Sequence, residues 1–91
     1  MAAIRLVITG RVQGVGFRAF VGDLAERQGL RGWVRNRRDG TVEVLLIGED
    51  GALAEAEAAC GRGPRLASVA RVARHAAEDD NGAGFRFLPT L

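Results

Sequence analysis

Hydrophobic and polar positions alternate at the start of the chain, where Ile4-Arg5-Leu6-Val7-Ile8-Thr9 predicts a first strand over residues 4–10. After a glycine-containing stretch the spacing changes. Phe17, Phe20, Val21, Leu24 and Gln28 fall at i, i+3, i+4, i+7 and i+11, one face of a helix that Gly29 ends. Asp23 and Arg27 stand four apart on another face of it, an arrangement that stabilises a helix by a few tenths of a kcal/mol. Residues 31–37 predict a second strand and Thr41 to Ile47 a third, with Arg38-Asp39-Gly40 as the hairpin turn between them. Asp50 and Gly51 open an Ala- and Glu-rich helix running to about Cys60, and Gly61-Arg62-Gly63-Pro64 breaks it. Ala67 to His75 predicts a fourth strand, in which Val69 and Val72 are out of step and mark a bulge. Asp79-Asp80-Asn81-Gly82 is a polar loop, and Phe85-Arg86-Phe87-Leu88 alternates as a short closing strand.

The order strand, helix, strand, strand, helix, strand is the split βαβ pattern of α+β ferredoxin-like sandwiches, an antiparallel sheet with two helices on one face. Residues 1–91 read as one domain, with no linker, repeat or low-complexity block. Ninety-one residues, 47% of them hydrophobic, suffice for one packed core.

Composition narrows the function classes. No apolar run approaches the roughly 18 to 20 residues that span a bilayer. The N-terminus lacks the pattern of a secretory signal, so a cytoplasmic protein is expected. A monomer is expected as well. Cys60 is the only cysteine, which excludes an internal disulfide and a cysteine-built zinc cluster. It reads as a small packed residue on the second helix. All 13 basic residues are arginine, whose planar fork suits carboxylate and phosphate oxygens. A net charge of +2 is nevertheless a weak global field, so anion binding has to be argued locally.

The segment Thr9 to Arg18 supplies that argument. Gly14 and Gly16 let the backbone turn so that consecutive N–H groups converge on one point. The helix that follows adds free N–H donors and the positive end of its dipole. Such turns also arise on steric grounds alone. Arg18 sharpens the case, because a cation in the first helical turn opposes the dipole unless an anion lies between them. The alternative is a solvated arginine. Other phosphate chemistries find no residues to carry them. A Walker-type nucleotide loop needs a lysine, and the chain has none. A cysteine phosphatase needs an arginine six positions after its cysteine, where this chain has Leu66. His75 stands alone, without the carboxylates of a two-metal site, and Glu78, Asp79 and Asp80 read as a solvated turn. With no evident covalent nucleophile, hydrolysis is expected to proceed by direct attack of water.

Gly10-Arg11-Val12-Gln13-Gly14-Val15-Gly16-Phe17-Arg18, followed by Gly29-Leu30-Arg31-Gly32-Trp33-Val34-Arg35-Asn36 and Asp39-Gly40-Thr41-Val42-Glu43, closely resembles the acylphosphatases. The resemblance is strong from about Arg5 to Gly48 and looser through Gly63-Pro64 to Gly84-Phe85. It implies metal-independent hydrolysis of acyl phosphates to a carboxylate and inorganic phosphate, with no cofactor. Substrates would be small molecules such as acetyl, carbamoyl or bisphosphoglycerate-type anhydrides, and phosphate would be both product and inhibitor. By the same resemblance Arg18 binds the phosphate together with the amides of Gln13, Gly14, Val15, Gly16, Phe17 and Arg18, and Asn36 orients the attacking water. From its position alone, without the resemblance, Asn36 reads first as a polar residue at a strand end that caps the hairpin. Trp33 and Phe17 read as packing residues, and Arg35, Arg37 and Arg38 as a solvated basic rim.

Two rival readings follow from the fold class. Ferredoxin-like sheets bind RNA through stacked aromatics. Here the four phenylalanines read as core residues and no RNP1 motif is present, so no nucleic-acid partner is expected. The other rival is an accessory domain handling carbamoyl phosphate, like the one that begins certain hydrogenase-maturation carbamoyltransferases.

Overall fold

The computed structural model describes residues 1–91. The chain runs β1 (Ala2–Arg11), α1 (Phe17–Gln28), β2 (Arg31–Asn36), β3 (Val42–Gly48), α2 (Asp50–Arg62), β4 (Ser68–Ala76) and β5 (Phe85–Phe87). The strands form one sheet in the order β4-β1-β3-β2-β5. The first four pair antiparallel, but β5 lies parallel to β2, with Gly32 opposite Phe85 and Val34 opposite Phe87. The expected all-antiparallel sheet is therefore corrected to a mixed one. Local alternation identifies a strand without choosing its neighbour, and β5 arrives from a long loop that can enter from either direction.

Side-chain alternation decides what the sheet buries. Leu6 and Ile8 of β1, Val34 of β2, and Val42, Val44 and Leu46 of β3 are fully buried on the face the helices cover. Phe17, Val21, Leu24 and Ala25 of α1 meet Leu53, Ala56, Ala59 and Cys60 of α2 over them. Removing this surface from water at about 25 cal/mol per Å² is the main favourable contribution to folding. Asn36 shares Val34's side of β2 at the strand's end, so the alternation that buries Val34 turns Asn36 toward the helix layer.

The bulge expected in the fourth strand is present. Thr9 pairs with Arg71 and Gly10 with Val69, which leaves Ala70 without a partner between them. A Cβ on Gly10 would lie 2.3 Å from the Ser68 carbonyl oxygen, so only glycine fits the crossing at φ +128°. The bulge bends the end of β1 just before the glycine loop.

Charged residues are more paired than the sequence reading expects. Glu43, 6% exposed, receives Arg5 at 2.9 Å and Arg35 at 2.7 Å on the face without helices. The Arg35 guanidinium also lies 4.7 Å from the Trp33 ring. Arg35 is thus part of a packed network and not of a solvated rim, while Arg38 is exposed as expected. Asp79 and Asp80 are exposed, as a solvated turn requires, but each is paired: Arg31 with Asp79, and Arg86 with Asp80 at 2.7 Å. Hydrogen bonds from those arginines hold both carboxyls below the usual range. Their stabilisation is accordingly present above the ordinary carboxylate pKa and disappears as pH falls through the lowered values.

Cys60 is buried, as expected, and burial, with the Glu57 charge as a lesser cause, pushes its thiol up to about 12. A thiol so protonated at pH 8 is inert. Ellman's reagent is expected to leave the native protein unlabelled at that pH and to titrate one thiol after denaturation, and fast labelling of folded protein would contradict this. Replacing Glu43 by Ala leaves Arg5 and Arg35 facing each other without a carboxylate. Urea unfolding is expected to show a loss of about 2–4 kcal/mol, less than for a wholly enclosed pair because both guanidiniums reach solvent. A change below about 0.5 kcal/mol, ordinary for a surface site, would contradict it.

Candidate active site

The loop between β1 and α1 is fixed at both ends by burial: Val12 is 1% exposed and Phe17 2%. Between them Gly14 and Gly16 take φ of +72° and +81°, the left-handed region that side-chain-bearing residues rarely enter. These two turns carry the chain into α1. No side chain caps that helix and no acidic residue occupies its first turn. Its first backbone bond is donated by Phe20 N–H to Gly16 O at 3.0 Å. The N–H groups of Gln13 and of residues 14–19 have no backbone acceptor in the fold. They lie at the positive end of the α1 dipole, which no acidic side chain of the first turn offsets.

Gln13 holds that loop from outside. Its Nε2 donates to the Arg37 carbonyl at 2.7 Å and to the Thr41 carbonyl at 2.9 Å. Both amide protons are used in tying the loop to the turn that follows Asn36. The turn is itself braced, since Asp39 Oδ1 accepts from Thr41 N–H at 3.0 Å and from Thr41 Oγ1 at 2.6 Å. These bonds draw the Asp39 carboxyl below the usual range, the hydroxyl bond most. The Asn36 main chain is held from the other side as well, where Leu91 N–H donates to the Asn36 carbonyl at 3.1 Å.

A cleft of about 320 Å³ opens above the loop, lined by Val12, Gly14, Gly16, Phe17, Arg18, Ala19, Asn36 and Phe87. Arg18, from the first turn of α1, and Asn36, from the end of β2, thus border the same space although 18 positions separate them in sequence. Arg18 is exposed and takes part in none of the seven ion pairs of the fold. Its guanidinium is free for a ligand. Of the residues expected at the site, Gly14, Gly16, Phe17, Arg18 and Asn36 line the cleft, whereas Gln13 and Val15 do not. Val15 is turned into the core at 8% exposure, and the Gln13 side chain is engaged with the hairpin. Either can still present its main-chain N–H.

Sequence reasoning missed Val12, Ala19 and Phe87 as cleft residues. Ala19 follows from helical position beside Arg18, but Phe87 reaches the cleft only through the parallel pairing of β5, which no local pattern signals. The reading of all four phenylalanines as core is corrected here: Phe87 is 58% exposed. Nowhere in the fold do three or more His, Cys, Asp or Glu side chains gather as a metal site would need. No helix is long and apolar enough to cross a membrane.

This arrangement has close counterparts. The acylphosphatase family model matches residues 4–87. An acylphosphatase of Rhodopseudomonas palustris is 46% identical over 93 aligned residues, which cover 96% of this chain and 94% of that protein. The crystal structure of acylphosphatase from Bacillus subtilis superposes with a TM-score of 0.90 at 37% identity, covering 97% of this chain and 99% of that one. A full-length HypF in its phosphate- and nucleotide-bound form matches at a TM-score of 0.85 and 28% identity, but over only 12% of its own chain. With the family model matching residues 4–87 and relatives of 37–46% identity aligning over more than nine-tenths of it, the chain belongs to the acylphosphatase family.

Proposed function

We propose that the cleft hydrolyses acyl phosphates by direct, metal-independent attack of water on phosphorus, with Arg18 and the loop amides binding the phosphoryl group and Asn36 orienting the water. The observation that carries this reading is the set of acceptor-free N–H groups at residues 14–19 beside an unpaired Arg18. Phosphoryl transfer passes through a loose transition state with charge spread over three equatorial oxygens, so positioning and electrostatics supply most of the rate. A ring of N–H donors with one guanidinium matches that charge and needs no rearrangement as it develops.

In the proposed step the water oxygen forms a bond to phosphorus as the bond from phosphorus to the acyl oxygen breaks. The carboxylate departs with the bonding pair and needs no strong general acid, being a stable anion. The proton released by water passes to an oxygen of the transferring phosphoryl group, because an asparagine amide can align water but cannot deprotonate it. Asn36, held on its main chain by Leu91 and through Gln13 by the adjoining turn, has the fixed position that such alignment requires. The loop's Gln13 and Val15 contribute main-chain donors only in this scheme. Inorganic phosphate, as the product, occupies the same cradle and inhibits.

The rival readings have less to stand on. An RNA-binding sheet needs exposed aromatics on the face without helices, and there Trp33 is covered by Arg35, which is engaged with Glu43. The likeness to HypF concerns 12% of that protein, while the acylphosphatases of Rhodopseudomonas palustris and Bacillus subtilis match this chain over more than nine-tenths of their lengths. The protein is proposed to act in the cytoplasm as a monomer on a small-molecule substrate, without nucleic-acid, membrane or cofactor partners. The ion-paired sheet face supports that state, since it offers a second copy little bare apolar surface.

Hydrolysis of benzoyl phosphate is expected to persist in excess chelator and to be inhibited competitively by phosphate. Arg18→Gln is expected to lower kcat/KM by at least about 100-fold, the scale of one lost transition-state donor. Asn36→Ala is expected to lower kcat with little change in KM, because water and not substrate is misplaced. Wild-type turnover by either variant would overturn the corresponding role. Size-exclusion chromatography with light scattering is expected to give the 9.7 kDa mass of one chain. A stable species of twice that mass would contradict the monomer.

A further inference from the structure

Phe87 is an apolar side chain with no evident reason to face water. It closes β5, and 58% of it is exposed at the rim of the cleft that Arg18 and Asn36 border. The ring is nevertheless held. Phe85 meets it edge-on, with 6.0 Å between centroids and 85° between planes. On the other side it lies against α1 at Gly22, where an added methyl carbon would come within 2.4 Å of the ring Cζ. Glycine is unfavourable in mid-helix compared with alanine. Here it admits the ring against the helix, so both residues serve to fix an exposed aromatic surface in one place.

The ring joins two depressions. Besides the phosphate cleft it lines a groove of about 520 Å³, which Ala19, Gly22, Gly84 and Phe85 continue away from the loop. Val12 and Phe17, the other large apolar residues of the cleft, are 1% and 2% exposed and offer a ligand almost nothing. Phe87 is therefore the one substantial apolar surface beside the site. Once the phosphoryl group is seated in the amide loop, the acyl group has to project from the cleft. We propose that Phe87 is the specificity-determining residue for the acyl group, its ring forming the wall against which an aromatic or branched apolar acyl group packs. This rests on the assignment of the cleft to acyl phosphate hydrolysis. Contact between aromatic surfaces favours such substrates over those with a short acyl chain.

The test compares kcat/KM for benzoyl phosphate with that for acetyl phosphate, in wild type and in Phe87→Ala, Phe87→Leu and Gly22→Ala proteins. Thermal unfolding establishes that each is folded. Phe87→Ala is expected to lower the benzoyl-to-acetyl ratio about three- to tenfold, through KM for benzoyl phosphate, the scale of one aromatic contact. Phe87→Leu, which keeps an apolar wall, is expected to restore part of the ratio. Gly22→Ala keeps the ring but displaces it, and is expected to lower the ratio as well. A ratio unchanged in Phe87→Ala, whether both substrates weaken together or neither does, would overturn the proposal and leave the hydrolytic assignment intact. Failure of the wild type to turn over either substrate would instead count against that assignment.

Discussion

Main-chain N–H groups left without acceptors are the constraint on which this structure turns. Every α-helix leaves its first N–H groups without a backbone acceptor, open to water or to a ligand. Here residues 14–19, of which Gly14, Gly16, Arg18 and Ala19 are exposed, keep theirs free at the start of a helix that carries no cap. The surrounding fold fixes where they lie. Val12, Val15 and Phe17 are anchored in the core on the inner side of the loop, and Gln13 ties its outer side to the hairpin. Gly14 and Gly16 supply the left-handed turns between those anchors. In the proposed function these donors receive the phosphoryl group.

The sheet brings the second half of the site to the first. Asn36 ends β2, which β3 separates from β1; α1 directly precedes β2 in the chain, and the first turn of the one and the last residue of the other border the same cleft. Gln13 links the two halves directly, and the C-terminal residues extend the β5 side of the sheet far enough for Leu91 to hold Asn36. On the opposite face Glu43 gathers Arg5 and Arg35, fixing β1 to β3 and β3 to β2 at the level just before Asn36. Charge pairing on one face and apolar burial on the other thus hold one strand end in place.

Much of this was legible in the residues. The alternation of β1, the i, i+3, i+4 spacing of α1 and the Asp39-Gly40 turn each report a local backbone preference, and the elements stand where those preferences put them. The bulge showed itself because Val69 and Val72 break a period of two, and a bulge is the way a strand absorbs one extra residue. Arg18 and the loop glycines were readable because an arginine in a first helical turn is electrostatically misplaced without an anion. Long-range partners were not. Nothing in Phe85-Arg86-Phe87 states that it lies parallel to β2, so the exposure of Phe87 beside the cleft was invisible. Arg35 with Glu43 and Arg31 with Asp79 are joined only by register and by the path of a loop, and the same residues in sequence look like solvated charge. Gln13 was named for its amide, while its side chain's hold on the hairpin depends on where residues 37 and 41 fall in space.

Binding of inorganic phosphate can be followed residue by residue in ¹H–¹⁵N correlation spectra. Saturable shifts are expected to concentrate on the amides of residues 14–19, with lesser ones at the Asn36 side-chain amide, and to be lost in Arg18→Gln protein. Shifts centred on another part of the surface, or an amide loop that does not respond to phosphate, would contradict this expectation.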